Sequence, residues 1–167
     1  DLGIGDSTAI WVLQVVGKEL HAIDYYEADG QPLAHYVTWL KDRGYPYEAH
    51  LLPHDAAARE LQSGKSRVEA LLGLGFRATL IPQHRVEDGI EEVRRLIPMC
   101  WFDATRCKAG VNALRNYRSE YDDKRRALRR SPLHDWSSHG ADAFRQYAMH
   151  RPAKSREPIV YPQYGVV

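Results

Sequence analysis

The chain has 167 residues, of which 44% are hydrophobic and 27% charged, the composition of a soluble globular domain large enough to bury a core of its own. No apolar run approaches the roughly 20 residues that a membrane span requires, which sets a transmembrane role aside. The formal net charge of +1 favours no partner by itself, but residues 106–130 carry nine Lys or Arg against three acids, so a basic stretch is set off from an acidic remainder.

Ala9 to Val16 is apolar and β-branched apart from Gln14, Gly17 and Lys18 supply a turn, and Leu20 to Tyr26 resumes an extended pattern, which predicts a hairpin. Asp1 stands at its start with no apolar residues before it. The chain is therefore expected to be truncated, with upstream residues completing the first strand. Pro32 at a first helical position, with Leu33, Tyr36, Val37 and Leu40 at helical spacing, predicts an amphipathic helix closed by Gly44. Tyr47 to Leu52 predicts a short strand ending at Pro53. Asp55 then lies just beyond a strand's carboxyl end, the edge at which sites gather in open α/β sheets. Arg67 to Leu74 predicts a second helix and Phe76 to Ile81 a strand, while Val86, Ile90, Val93 and Ile97 mark a third helix before Pro98. Met99 to Phe102 predicts one more short strand. A helix from Ala104 to Tyr117, a polar charged loop to Pro132 and a last helix from Ser137 to His150 are expected to follow. Arg151 to Val167 holds three prolines and little periodicity, and is expected to be an extended tail on a domain of residues 1–150. A hairpin followed by alternating helices and strands implies an α/β fold, a mixed sheet with helices on both faces.

Cys100 and Cys107 match no common zinc spacing and are expected to be free thiols in a reducing compartment. The first residues lack the basic-then-apolar order of a signal peptide, which points to the cytoplasm.

On the last helix His139 and Asp142 are three residues apart and share a face, so an imidazole and a carboxylate point together as half of a metal site. His139 could equally be a buried, hydrogen-bonded core histidine. Asp1 and Asp55 lie at predicted strand ends, and three such acids suggest divalent metal and phosphate chemistry. Phosphodiester hydrolysis with two metal ions needs carboxylates from separate elements to converge on ions roughly 4 Å apart. Taken singly, each Asp could be an exposed or capping residue. Asp135 is expected to cap the last helix, and Asp6 and Asp24 are left outside the ligand set. Gly64-Lys65-Ser66 is a fragment of a phosphate-binding loop, but Arg59 stands where the first glycine is required, so no nucleotide role follows and the fragment is expected to open the next helix. The basic stretch is either a solvated helical face or a surface for phosphate backbones.

Asp1-Leu-Gly-Ile-Gly-Asp-Ser-Thr-Ala-Ile, Leu52-Pro-His-Asp-Ala56 and Leu133-His-Asp-Trp-Ser-Ser-His-Gly-Ala-Asp-Ala-Phe-Arg145, in that order, resemble the nuclease domain of tailed-phage terminase large subunits. The resemblance spans almost the whole chain, and its last motif is the specific one. It implies a ribonuclease H-like fold with two Mg²⁺ or Mn²⁺ ions in an acidic cluster. Asp1 would be the shared ligand on strand one, Asp55 the second carboxylate and Asp142 the third. His139 matches a family histidine close to the metals. The implied activity is endonucleolytic cutting of double-stranded concatemeric DNA during genome packaging in the host cell cytoplasm. An ATPase motor domain earlier in the same polypeptide, a portal protein and a small terminase subunit are the implied partners. Backbone contacts from Lys65, Arg67, Arg115, Arg118, Lys124, Arg125, Arg126, Arg129 and Arg130 would be insensitive to base identity. Another ribonuclease H-like nuclease, such as a resolvase or transposase core, would use the same acids. A noncatalytic module docking on DNA or a portal ring would need no metal.

Overall fold

A computed structural model describes residues 7–60, 64–122, 124 and 126–150. Asp1, Asp6, Arg125 and the predicted tail lie outside the described residues, as does the side chain of Arg130.

Strands β1 (Thr8–Val16) and β2 (Glu19–Ala28) form the expected antiparallel hairpin, and β2 pairs in parallel with β5 (Cys100–Phe102). Strands β3 (His50–Leu52) and β4 (Ala78–Leu80) form a separate parallel pair. Among the described residues the strands therefore divide into a mixed three-stranded sheet of order β1-β2-β5 and two two-stranded sheets. The short β3 occupies the end of the predicted Tyr47–Leu52 segment and β4 the middle of the predicted Phe76–Ile81 segment.

A bulge decides how the hairpin is used. Val12 pairs with Asp24 but Leu13 pairs with Ala22, so Ile23 is an extra residue on β2 and the in-out alternation inverts there. Ala22 and Tyr25 consequently share a face with Ala9, Trp11 and Leu13 of β1, and together they form one core with Cys107. Asp24 and Tyr26 are left on the opposite face. There they meet helix α1 (Leu33–Arg43): Tyr26 stacks on Trp39 at 4.8 Å, Tyr36 Oη donates to the Ala28 carbonyl, and the buried Asp24 carboxylate pairs with Arg43 Nε at 3.1 Å. The apolar face of the hairpin is covered by helices α4 (Lys108–Asn116) and α5 (Trp136–His150). Helices thus flank the sheet on both sides, as the alternation of elements implied.

Helix α2 (Arg67–Gly73) starts at Ser66 with a complete capping box: Ser66 Oγ accepts from the Glu69 N–H at 3.1 Å and Glu69 returns a bond to the Ser66 N–H at 2.7 Å. The fragment around Gly64 is a helix start, as expected from the sequence. Helix α3 (Val86–Leu96) runs into a 3-10 turn at Ile97–Met99, where Pro98 ends it.

Two predicted boundaries are corrected. The helix expected from Ala104 begins at Lys108, because Asp103 Oδ1 accepts the N–H groups of Thr105 and Arg106 and holds the chain in a turn first. The polar loop expected up to Pro132 is an antiparallel hairpin of β6 (Ser119–Asp122) and β7 (Ala127–Pro132). Its described side chains are mostly exposed and mix polar, charged and apolar types, so no apolar alternation marked it in the sequence.

The position of α5 is fixed by two close approaches. Trp11 Nε1 donates to the Gly140 carbonyl at 2.8 Å, and a Cβ at Gly140 would lie 2.7 Å from Tyr25 Oη and 2.9 Å from the Ala113 Cβ. Phe144, fully buried among Trp11, Leu20, Leu96 and Phe102, anchors the next turn. Burying one such side chain contributes roughly 1.5–3 kcal/mol.

Candidate functional site

Helix α5 opens on Asp135, whose Oδ1 accepts the Ser137 N–H at 2.9 Å and the Ser137 hydroxyl at 2.6 Å, the cap its position predicted. Those bonds hold its carboxyl below the usual aspartate range, with the nearby Arg118 guanidinium and His134 adding to the effect. One turn later His139 is buried, with the His134 ring edge-on at 5.6 Å. His134 Nδ1 lies 3.1 Å from Ser138 Oγ, which itself donates to the Asp135 carbonyl.

Asp142 follows His139 by one turn, and its side chain is about a quarter exposed. Its Oδ1 accepts a hydrogen bond from Tyr117 at 3.1 Å and pairs with Arg145 Nη1 at 2.7 Å. Tyr117 is the residue that ends α4. Burial, and next the Asp142 charge, push its phenol well above the usual tyrosine range, so it remains a hydrogen-bond donor.

Asp55 sits on a 3-10 turn, His54–Ala57, immediately after Pro53 and β3, and is exposed. Strand β3, which leads into the turn that carries Asp55, packs against α5, the helix that carries Asp142. Mg²⁺ and Mn²⁺ take carboxylate oxygens readily, and both aspartates offer such donors. Among the described residues no three His, Cys, Asp or Glu side chains converge on one point. Asp1, the remaining carboxylate of the expected set, lies outside them. The donors present fit a hard divalent cation in kind.

The basic side chains are not equivalent. Arg118 enters the β6–β7 hairpin, is more than half exposed, and pairs with Asp135 at 3.2 Å, while the Leu133 N–H donates to its carbonyl. The hairpin therefore springs from the N-terminal end of α5. Arg129 pairs across it with Glu120 at 2.8 Å, and Lys124 and Arg126 are exposed, as are the facing Tyr121 and Leu128. Arg115 is exposed on the last turn of α4. Lys65 is exposed beside the α2 cap, whereas the Arg67 side chain is mostly covered, with Nε 3.4 Å from Glu60.

Sequence reasoning missed Tyr117, Arg145, His134 and Glu27 as members of this neighbourhood. Arg145 had a signal, since it stands three residues after Asp142 on one helix. Tyr117 is 25 residues from its partner and had none. Glu27 accepts from the Tyr25 hydroxyl that rests against Gly140.

No family model matches the chain, and no curated protein matches it by sequence. Solved structures do. The large terminase of the thermophilic bacteriophage D6E superposes with a TM-score of 0.66 at 18% identity, over 88% of this chain and 37% of that one. Its complex with ATP-γ-S gives 0.67 at 18% identity, over 89% and 38%. The nuclease domain of g2p, the large terminase of bacteriophage SPP1, solved with bound Mn, gives 0.64 at 17% identity, over 89% of this chain and 81% of that one. The chain thus spans well under half of the D6E terminase and most of the SPP1 nuclease domain. Its fold is that of a large-terminase nuclease domain.

Proposed function

We propose that this chain is the nuclease domain of a phage terminase large subunit, a metal-dependent endonuclease that cuts double-stranded concatemeric DNA with little sequence specificity. The observation that carries the reading is the coincidence of two independent lines. The ordered motifs around Asp1, Asp55 and Asp142 point to this family, and the fold matches the SPP1 nuclease domain over 89% of the chain. Asp1, Asp55 and Asp142 are the proposed metal carboxylates, with His139 beside them. Two bound Mg²⁺ or Mn²⁺ ions would supply water activation and charge stabilisation at the scissile phosphate. The Mn bound in the SPP1 nuclease-domain structure supports divalent metal use.

The chain's own residues have separable tasks. Asp142, held on a buried helix, offers a fixed carboxylate, and Asp55 offers a second on an exposed turn. The hairpin guanidiniums contact phosphates on either side of the cut without reading bases. An ATPase motor in the same polypeptide is supported by the D6E match, whose full chain extends far beyond this domain. Portal and small-subunit contacts, and action in the host cytoplasm, follow from the family reading. Among the described residues no helix is long and apolar enough to cross a membrane.

A resolvase core would use the same acids, so substrate separates the two. The test is cleavage of linear duplex, supercoiled plasmid and a four-way junction in Mn²⁺ and in EDTA. Metal-dependent cutting of duplex without junction preference is expected; cutting confined to the junction would overturn the terminase reading in favour of the resolvase.

A further inference from the structure

The contacts on Asp142 fall on one oxygen. Tyr117 Oη donates to Oδ1 at 3.1 Å, Arg145 Nη1 meets the same atom at 2.7 Å, and Arg145 Nη1 also lies 3.3 Å from Tyr117 Oη. The three groups close a small triangle around Oδ1. Among the described residues the hydrogen bond on Asp142 falls on Oδ1 and none reaches Oδ2.

Arg145 is itself held in place. Its side chain is only 12% exposed, and its Cγ and Cδ lie over Gly89 of α3, where a Cβ would come within 2.5 Å of them. Its Nε is buried with no hydrogen-bond partner among the described residues. An unsatisfied buried donor is costly, an expense that a guanidinium free to swing into solvent would avoid. Helix α3 supplies the bare glycine, α4 ends on the tyrosine and α5 carries both charged residues. Three helices therefore converge on the orientation of one carboxyl group.

We propose that Tyr117 and Arg145 are positioning residues that withhold Oδ1 and leave Oδ2 as the single oxygen Asp142 gives to a divalent cation. This rests on the reading of Asp142 as a metal carboxylate. A small cation with strict octahedral demands gains from a ligand fixed in single-oxygen mode, since a carboxyl free to rotate offers both oxygens at too narrow an angle. Ca²⁺, which accepts either mode, gains less.

The test is Mn²⁺ affinity of the whole chain without DNA, by titration calorimetry, for wild type, Tyr117→Phe, Arg145→Lys and Asp142→Asn, with circular dichroism on each. Tyr117→Phe and Arg145→Lys conserve net charge, so neither removes a cation from beside the site. Each is expected to weaken Mn²⁺ binding on the order of tenfold, the typical loss when a ligand's supporting bond is removed. Ca²⁺ binding should fall less, and neither substitution should add to the loss in Asp142→Asn. Wild-type Mn²⁺ affinity in both variants, alongside lost binding in Asp142→Asn, would overturn the positioning role and leave the metal reading intact. Unchanged binding in Asp142→Asn, or none in wild type, would overturn the metal reading itself. Should Arg145→Lys fail to fold, Tyr117→Phe, which removes one hydroxyl, decides alone.

Discussion

Cys107 and Asp142 show how much a side chain's chemistry depends on what folds over it. Cys107 is fully buried beneath β2, donates to the Ala22 carbonyl at 3.2 Å, and has its thiol pKa pushed up to about 11 by burial. The thiolate is the reactive form, so Cys107 should be inert near neutral pH, while the half-buried Cys100 remains reachable. Titration with a disulfide reagent at pH 8 should consume at most one thiol per native chain and two after unfolding; two fast thiols in the native state would contradict this burial. The placement of His139 and Asp142 one turn apart on the last helix and the cap at Asp135 were legible in the sequence, because both are local relations on one helix. The Tyr117 bond and the covering of Arg145 by Gly89 were not, since each depends on how separate helices cross.

At the scale of elements, small residues set how closely helices approach the sheet. Replacing a helical glycine by alanine ordinarily stabilises by about 1 kcal/mol. At Gly140 the new methyl would meet Tyr25 Oη at 2.7 Å and Ala113 at 2.9 Å, and such overpacking costs roughly 1–3 kcal/mol. The clash outweighs the propensity. Gly140→Ala should therefore lower the melting temperature, whereas Gly73→Ala, with open space around the site in α2, should raise it slightly. Equal shifts in both variants would mean that α5 does not sit as closely on the hairpin as described. The β6–β7 hairpin was misread as a loop for a related reason: its facing pairs, such as Tyr121 with Leu128, lie exposed with no core to impose an apolar stripe, so pairing follows from backbone geometry. If it contacts phosphates, converting Lys124, Arg126 and Arg129 to Gln should weaken duplex binding and flatten its salt dependence. An unchanged salt slope in an equilibrium binding assay would return the hairpin to a solvated role.

Across the whole molecule, carboxylates at element starts link stability to acid. Asp103 has a lowered pKa because it accepts backbone hydrogen bonds in the turn before α4, Asp135 because it accepts side-chain and backbone hydrogen bonds at the start of α5, and Glu69 because it accepts them in the α2 capping box. A lowered folded pKa adds stability above the ordinary carboxylate value of about 4, and that stability is lost as pH falls through the folded values. Melting temperature should therefore hold from neutral pH to about pH 5 and drop below about pH 4. Asp103→Ala should melt earlier than wild type at pH 7, with the gap closing towards pH 3; a gap independent of pH would remove this linkage. The alternation of elements made the α/β class legible. The division into separate sheets and the bulge at Ile23 were hidden, because both arise from pairing between distant segments. Of the proposed carboxylates, Asp55 follows a strand that packs against α5, the helix of Asp142, and the account stands on their acting together through metal. The most direct measurement is plasmid cleavage against Mn²⁺ concentration for wild type, Asp55→Asn and Asp142→Asn. Wild type should cut only with metal, and each variant should lose activity while keeping its circular dichroism spectrum. Metal-dependent cutting at the wild-type rate in either variant would contradict the account.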